Sequence, residues 1–169
     1  MQLRTFAFGL LFVTACVDSG DPVTAVGKSV YSPSVETLVL DDKGGGFVIP
    51  GPPGPCDPYV ASYTVTVDTQ HLAWSRCVIT GNTTAPRSGA RPLTTDEWAS
   101  LQPTLRALVI VSNNDCGADK PVLELSVTTA SSSQAYGDAF YGCHIHDRPV
   151  IDSNALDAAE DALAALATK

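Results

Sequence analysis

Four cysteines, Cys56, Cys77, Cys116 and Cys143, lie downstream of an export signal, and no other feature restricts the fold of this chain as strongly. The signal occupies residues 1–15: Arg4 supplies a positive head, residues 6–15 form a ten-residue apolar run, and small Ala15 closes it. Ten apolar residues are too few to cross a bilayer core, which takes about 20. An even number of thiols in a chain sent to an oxidising compartment predicts two disulfides. Zinc is the competing use for such residues, but none of the four belongs to the closely spaced cysteine pair of structural zinc sites. The expectation is therefore a disulfide-stapled domain, and four positions leave three connectivities open.

The end of the signal, Val13-Thr14-Ala15-Cys16, resembles the lipobox of bacterial lipoproteins. That resemblance implies cleavage before Cys16, diacylation of its side chain, and a mature protein held to a membrane of the bacterial cell envelope. An ordinary secretory signal cut at or after Ala15 is the alternative. Removing residues 1–15 takes away Arg4 and leaves nine basic against eighteen acidic residues, a formal net charge of −9. Such a chain repels phosphate backbones, so nucleic acid is not an expected partner. It is equally unsuited to adhesion on anionic lipid. Attachment would rest on the acyl chains, each buried CH₂ contributing about 0.8 kcal/mol.

The mature length suits a single domain with a tail. Residues 16–55 differ from the rest in being punctuated by Asp18-Ser19-Gly20-Asp21-Pro22, Gly44-Gly45-Gly46 and a Pro/Gly run at 50–55. They read as a lipidated N-terminus and tether, with a hairpin on the domain edge as an option for the apolar runs at 35–40 and 47–49. If residues 17–34 alone were loose, they would reach roughly 60 Å when extended. Residues 56–169 then make up one α+β domain.

Within it, residues 59–68 alternate in polarity and a second run returns over 72–80, which predicts a hairpin. Residues 82–92 read as loop from their Gly, Pro, Thr and Arg content. Thr94 to Glu97 forms a capping box ahead of Trp98, Leu101, Leu105 and Leu108, so a helix is expected from about Thr95, kinked or broken at Pro103. A second hairpin is expected over 122–129 and 134–143, and a second helix after Asp152-Ser153-Asn154, with Leu156, Ala159, Leu163 and Leu166 on one face. Trp74 and Trp98 fall on these periodicities and are expected in the core.

The two halves follow one order: cysteine, hairpin, a closing cysteine three residues after an aromatic, loop, helix. Read as a degenerate repeat of about 60–66 residues, this gives a ββαββα plan. The expected fold is an antiparallel sheet of about four strands with two helices on one face. Chance gives the same order, because ββα units are common. A true repeat would favour Cys56 with Cys77 and Cys116 with Cys143, although other pairings are also symmetric.

Catalytic signatures are missing: there is no Gly-x-Ser-x-Gly elbow, P-loop, dinucleotide fingerprint or His-Glu-x-x-His. One cluster stands out, Cys143-His144-Ile145-His146-Asp147, where His144 and His146 could share a metal with His71 or Asp147. Two histidines without an identified third ligand seldom make a site, so no metal or other cofactor is expected and no residue is assigned a catalytic role. The expected function is a non-enzymatic envelope module that binds a protein or carbohydrate. Residues 116–143, with Pro121-Val122-Leu123-Glu124-Leu125, resemble the second half of subtilisin-inhibitor-like proteins, which implies a protease-inhibitor alternative. A small metal-dependent enzyme built on His144 and His146 is the third reading.

Overall fold

The structure, a computed structural model, describes residues 23–45, 54–112 and 115–168. Cys16 and the lipobox-like residues before it lie outside the described residues, as does the apolar run at 47–49. The described residues form eight strands: β1 (Val35–Asp42), β2 (Ala61–Thr66), β3 (His71–Thr80), β4 (Thr83–Pro92), β5 (Ile110–Val111), β6 (Leu123–Thr129), β7 (Ser133–Asp138) and β8 (Val150–Ile151). Helices α1 (Thr95–Arg106) and α2 (Ser153–Leu166) follow β4 and β8, and a 3₁₀ segment, Ala139–His144, follows β7.

All eight strands join one sheet in the order β4-β3-β2-β1-β6-β7-β8-β5. This corrects the expected four-stranded antiparallel sheet on a ββαββα plan. The sheet is twice as wide, and it is mixed, because β7 and β8 run parallel. The halves are not joined hairpin to hairpin: β1 lies between them, antiparallel to β2 on one side and to β6 on the other. Their second members also differ. β3 pairs with β4 along its whole length, whereas β7 stops at Asp138 and the chain turns into the 3₁₀ segment instead of continuing as strand to Cys143.

Two strands escaped the sequence reading for physical reasons. β1 falls within residues 16–55 and is flanked by turn-forming residues, yet Leu38, Leu40 and Asp42 alternate inward and are buried. The folded unit thus reaches back past Cys56. Val30 is buried in the same core, and the Tyr136 hydroxyl donates to the Val23 carbonyl at 2.6 Å. At most six residues therefore separate Cys16 from packed chain, a span of about 20 Å rather than 60 Å. β4 was hidden by Pro86, Gly89 and Pro92, but it is an edge strand, where proline does not break a ladder on both sides.

Helix α1 keeps its predicted start. The Thr94 hydroxyl accepts from the Glu97 N–H at 3.2 Å and the Glu97 carboxylate accepts from the Thr94 N–H at 3.0 Å. It runs through Pro103 without a break. Because α1 leads from one edge of the sheet to the other, it crosses the face, and α2 packs beside it. Trp98, Leu101, Leu105, Leu156 and Leu163 share one core with Leu38, Leu40, Val65, Leu72, Leu125 and Tyr136, and Trp74 lies at its margin. The other face carries small side chains, such as Ser62, Ser75 and Ser88 side by side across β2, β3 and β4. The disulfides are Cys56–Cys77 and Cys116–Cys143, each bracketing parts of one hairpin.

Candidate functional site

The histidines are not gathered. His71 opens β3 and His144 closes the 3₁₀ segment after β7, four strand spacings away, or roughly 19 Å. Among the described residues no three of His, Cys, Asp and Glu come together in an arrangement that could hold a metal. His146 and Asp147 are exposed, and Asp147 lies 3.4 Å from Arg148 Nε.

His144 instead lines a cleft of about 270 Å³, whose other walls are Val122, Leu123, Glu124, Gly137, Tyr141, Ile145 and Arg148. Strand alternation explains this site. Glu124 lies on β6 between two inward leucines, so it faces the side of the sheet away from the helices, opposite Gly137 on β7. With no side chain at Gly137, the Ile145 side chain lies over the strand; a Cβ there would come within 2.4 Å of Ile145 Cδ1, the tip of that side chain. The 3₁₀ segment carries Tyr141 and His144 and is held by the Cys116–Cys143 bridge and by the Cys143 N–H, which donates to the Asp115 carbonyl at 3.0 Å.

Charge converges on Glu124. Arg148 Nη1 donates to Glu124 Oε1, and Lys43 Nζ stands 3.6 Å from Glu124 Oε2 and 3.1 Å from Asp41. The interactions with Asp41 and Glu124 hold the Lys43 ammonium above its ordinary range. A second cleft of about 300 Å³ adjoins the first, sharing Ile145 and Arg148 and opening toward Val26, Ile110 and Val150. The result is a groove with a mostly apolar first cleft and a more polar second one, crossed by one guanidinium, the kind of surface that grips a ligand by shape and orients it with a few polar groups. A hollow of about 240 Å³ beside Cys56–Cys77 is comparably apolar, with Val60, Ala61 and Pro86 around Arg76 and Asp57.

Behind the groove, Lys120 ties three elements together. Its Nζ lies 3.1 Å from Asp138, 2.7 Å from Asp157 and 2.5 Å from Ser153 Oγ, and 5.6 Å from the centre of the Phe140 ring. The Tyr141 hydroxyl donates to the Lys120 carbonyl and accepts from its N–H at 3.1 Å. Burial works against the Lys120 charge, but the two carboxylates outweigh it and hold the ammonium above its usual range.

Sequence reasoning missed Glu124, Arg148, Tyr141 and Lys120. Alternation in 122–129 would have marked Glu124 as facing away from the core, but nothing local marks the residues that meet it. No protein-family model, curated protein or solved structure matches this chain.

Proposed function

We propose that this protein is a lipid-anchored lipoprotein of the bacterial cell envelope whose domain binds a protein or carbohydrate partner without catalysis, through the groove beside Ile145 and Arg148. The groove carries this reading: its first cleft is mostly apolar and walled by a disulfide-tied segment, and Arg148, Glu124 and His144 are there to orient what enters. The lipobox-like Val13-Thr14-Ala15-Cys16 supports the anchor, and the two disulfides fit an oxidising compartment. The test is site-specific photocrosslinking in intact cells, with the photoreactive residue in place of His144 and, as control, in place of partly exposed Thr104 on α1. A defined adduct from position 144 and none from position 104 is expected. Equal adducts from both positions, or none from 144, would overturn the groove as the binding site.

A protease-inhibitor-like module is the second reading, favoured by the mostly exposed segment 115–119. It is flanked by the Cys116–Cys143 bridge and pinned where the Gly117 N–H donates to the Phe140 carbonyl at 2.7 Å. Stoichiometric inhibition of subtilisin would establish it and displace the first.

A further inference from the structure

Among the described residues β4 is the last strand on its side of the sheet, and its pairing with β3 fixes which backbone groups it leaves free. The β3–β4 hairpin closes on Gly81 and Asn82, so Thr80 and Thr83 form a hydrogen-bonded pair. At the other end the Leu93 N–H donates to the Gln70 carbonyl at 2.8 Å, in phase with that pair. Between them, Ala85, Arg87, Gly89 and Arg91 turn their backbone groups toward β3, while Thr84, Pro86, Ser88, Ala90 and Pro92 turn theirs outward. Both prolines thus fall where a missing N–H breaks no pair. The Thr84 end is covered: its Oγ1 donates to the Cys56 carbonyl at 2.8 Å, and a Cβ on Gly54 would come within 2.6 Å of the Thr84 N and O. What stays open is a short slot in which exposed Ser88 and Ala90 offer their N–H groups between two prolines.

Charge and shape say what fits the slot. Arg87 stands directly opposite Arg76, on the face that also carries Tyr63 and Trp74, and like charges so placed destabilise a sheet. Neither arginine makes an ion pair among the described residues, whereas Lys43, Arg91, Lys120 and Arg148 each face a carboxylate. Arg76 Nε is buried without a hydrogen-bond partner. Two residues on from Arg87, Gly89 leaves the same face clear: a Cβ there would come within 2.3 Å of Trp74 Cζ2, so the indole lies across β4 toward its free edge. A second copy of the chain is a poor occupant, because antiparallel pairing about Gly89 sets Arg87 against Arg91.

We propose that the open edge of β4 takes up an extended acidic segment of a partner protein as an added strand, with a carboxylate opposite Arg87 and an apolar side chain opposite Gly89, beside Trp74. These two side chains are two residues apart and so share a face. Ser88 and Ala90 supply the backbone bonds, and the flanking prolines keep the added strand short. The site is independent of the groove, since β4 and β8 lie on opposite sides of β1 in the strand order.

NMR on the mature protein in neutral detergent tests this in two stages. In the free protein the Ser88 and Ala90 amides should exchange at least about tenfold faster than those of Arg87 and Gly89. Slow exchange at all four would mean that the edge is already covered, and would overturn the proposal. The probes are two capped peptides, Thr-Glu-Thr-Val-Thr-Glu-Thr and its counterpart Thr-Lys-Thr-Val-Thr-Lys-Thr, whose symmetric pattern suits either strand direction. The glutamate peptide should slow exchange at Ser88 and Ala90, shift the Trp74 indole resonance, and bind about tenfold more tightly than the lysine peptide. Arg87→Glu, a change at an exposed position, should reverse that preference. No binding of the glutamate peptide, equal binding of the two, or an unaltered preference in Arg87→Glu sinks the idea. Should that variant fail to fold, the wild-type comparison decides: protection at Ser88 and Ala90 sustains the added strand, and protection confined to other strands refutes it.

Discussion

Asp138 is the residue whose environment leaves it least freedom: its side chain is completely shielded, one oxygen caps the 3₁₀ segment by accepting the Phe140 N–H at 2.9 Å, and the other faces Lys120. A shielded carboxylate stripped of its cation costs far more than a surface pair contributes. Lys120→Met should therefore destabilise the domain by about 3–5 kcal/mol, read as a lowered urea midpoint with an unchanged slope. Asp138→Asn in the same chain should recover much of the loss, because it removes the unpaired charge while leaving the cap. A loss under about 1 kcal/mol would mean that Asp157 and solvent already neutralise the site. Half of this arrangement was legible. Alternation with Tyr136 places Asp138 on the inner face, but its partner comes from a loop eighteen residues earlier, and no local pattern encodes that meeting. The histidines show the same limit: the spacing of His144 and His146 left His71 or Asp147 open as a third ligand, although no metal was expected, and only the strand order tells that His71 lies far from His144.

At the scale of elements, what the sequence shows depends on whether the signal is local. The capping box of α1, the inward leucines of α2, and the β2–β3 and β6–β7 hairpins were readable because their information lies within a few residues. β4 and β1 were not, since composition argued for loop and the deciding partners were strands elsewhere in the chain. β4 is also how α1 is held. Arg91 donates two bonds to Glu97, at 2.8 and 3.0 Å, and a third at 3.0 Å to the Leu166 carbonyl, joining the start of α1 to the end of α2. Bidentate geometry of this kind fixes orientation as well as charge. Thr94→Ala removes one half of the capping box while Arg91 still holds Glu97, so a loss of about 1 kcal/mol is expected in thermal unfolding. Arg91→Lys should cost at least as much despite keeping the charge, because an ammonium cannot span both carboxylate oxygens and the carbonyl. Equal stability of Arg91→Lys and wild type would show that the clamp is ornamental.

For the whole molecule, the decisive fact is that the segment expected to be a tether holds the middle of the sheet. Among the described residues, the β2–β3–β4 side and the β6–β7–β8–β5 side of the sheet are joined through β1, and Leu38 and Leu40 are buried in the shared core. A variant lacking residues 17–42 should therefore fail to fold: it would expose the unpaired edges of β2 and β6 and lose buried apolar area worth several kcal/mol from those two leucines alone. Cys16→Ser is predicted to behave differently. The substitution leaves every described residue unchanged, so the domain should retain its unfolding transition while moving from the membrane fraction to the soluble one. The two variants separate two claims. A cooperative native transition in the deletion would contradict the central place of β1, whereas a folded Cys16→Ser protein that still sediments with membranes would refute the lipid anchor. If Cys16 is anchored as proposed, the six residues between it and Val23, about 20–25 Å when extended, would leave the domain little freedom to stand off the bilayer. The membrane would then be a near neighbour of whichever face it presents. Adding a twenty-residue flexible insert after Val17 should leave stability unchanged and extend the reach of crosslinks made from position 144. Unchanged crosslink partners would indicate that the groove already meets its ligand at the membrane surface.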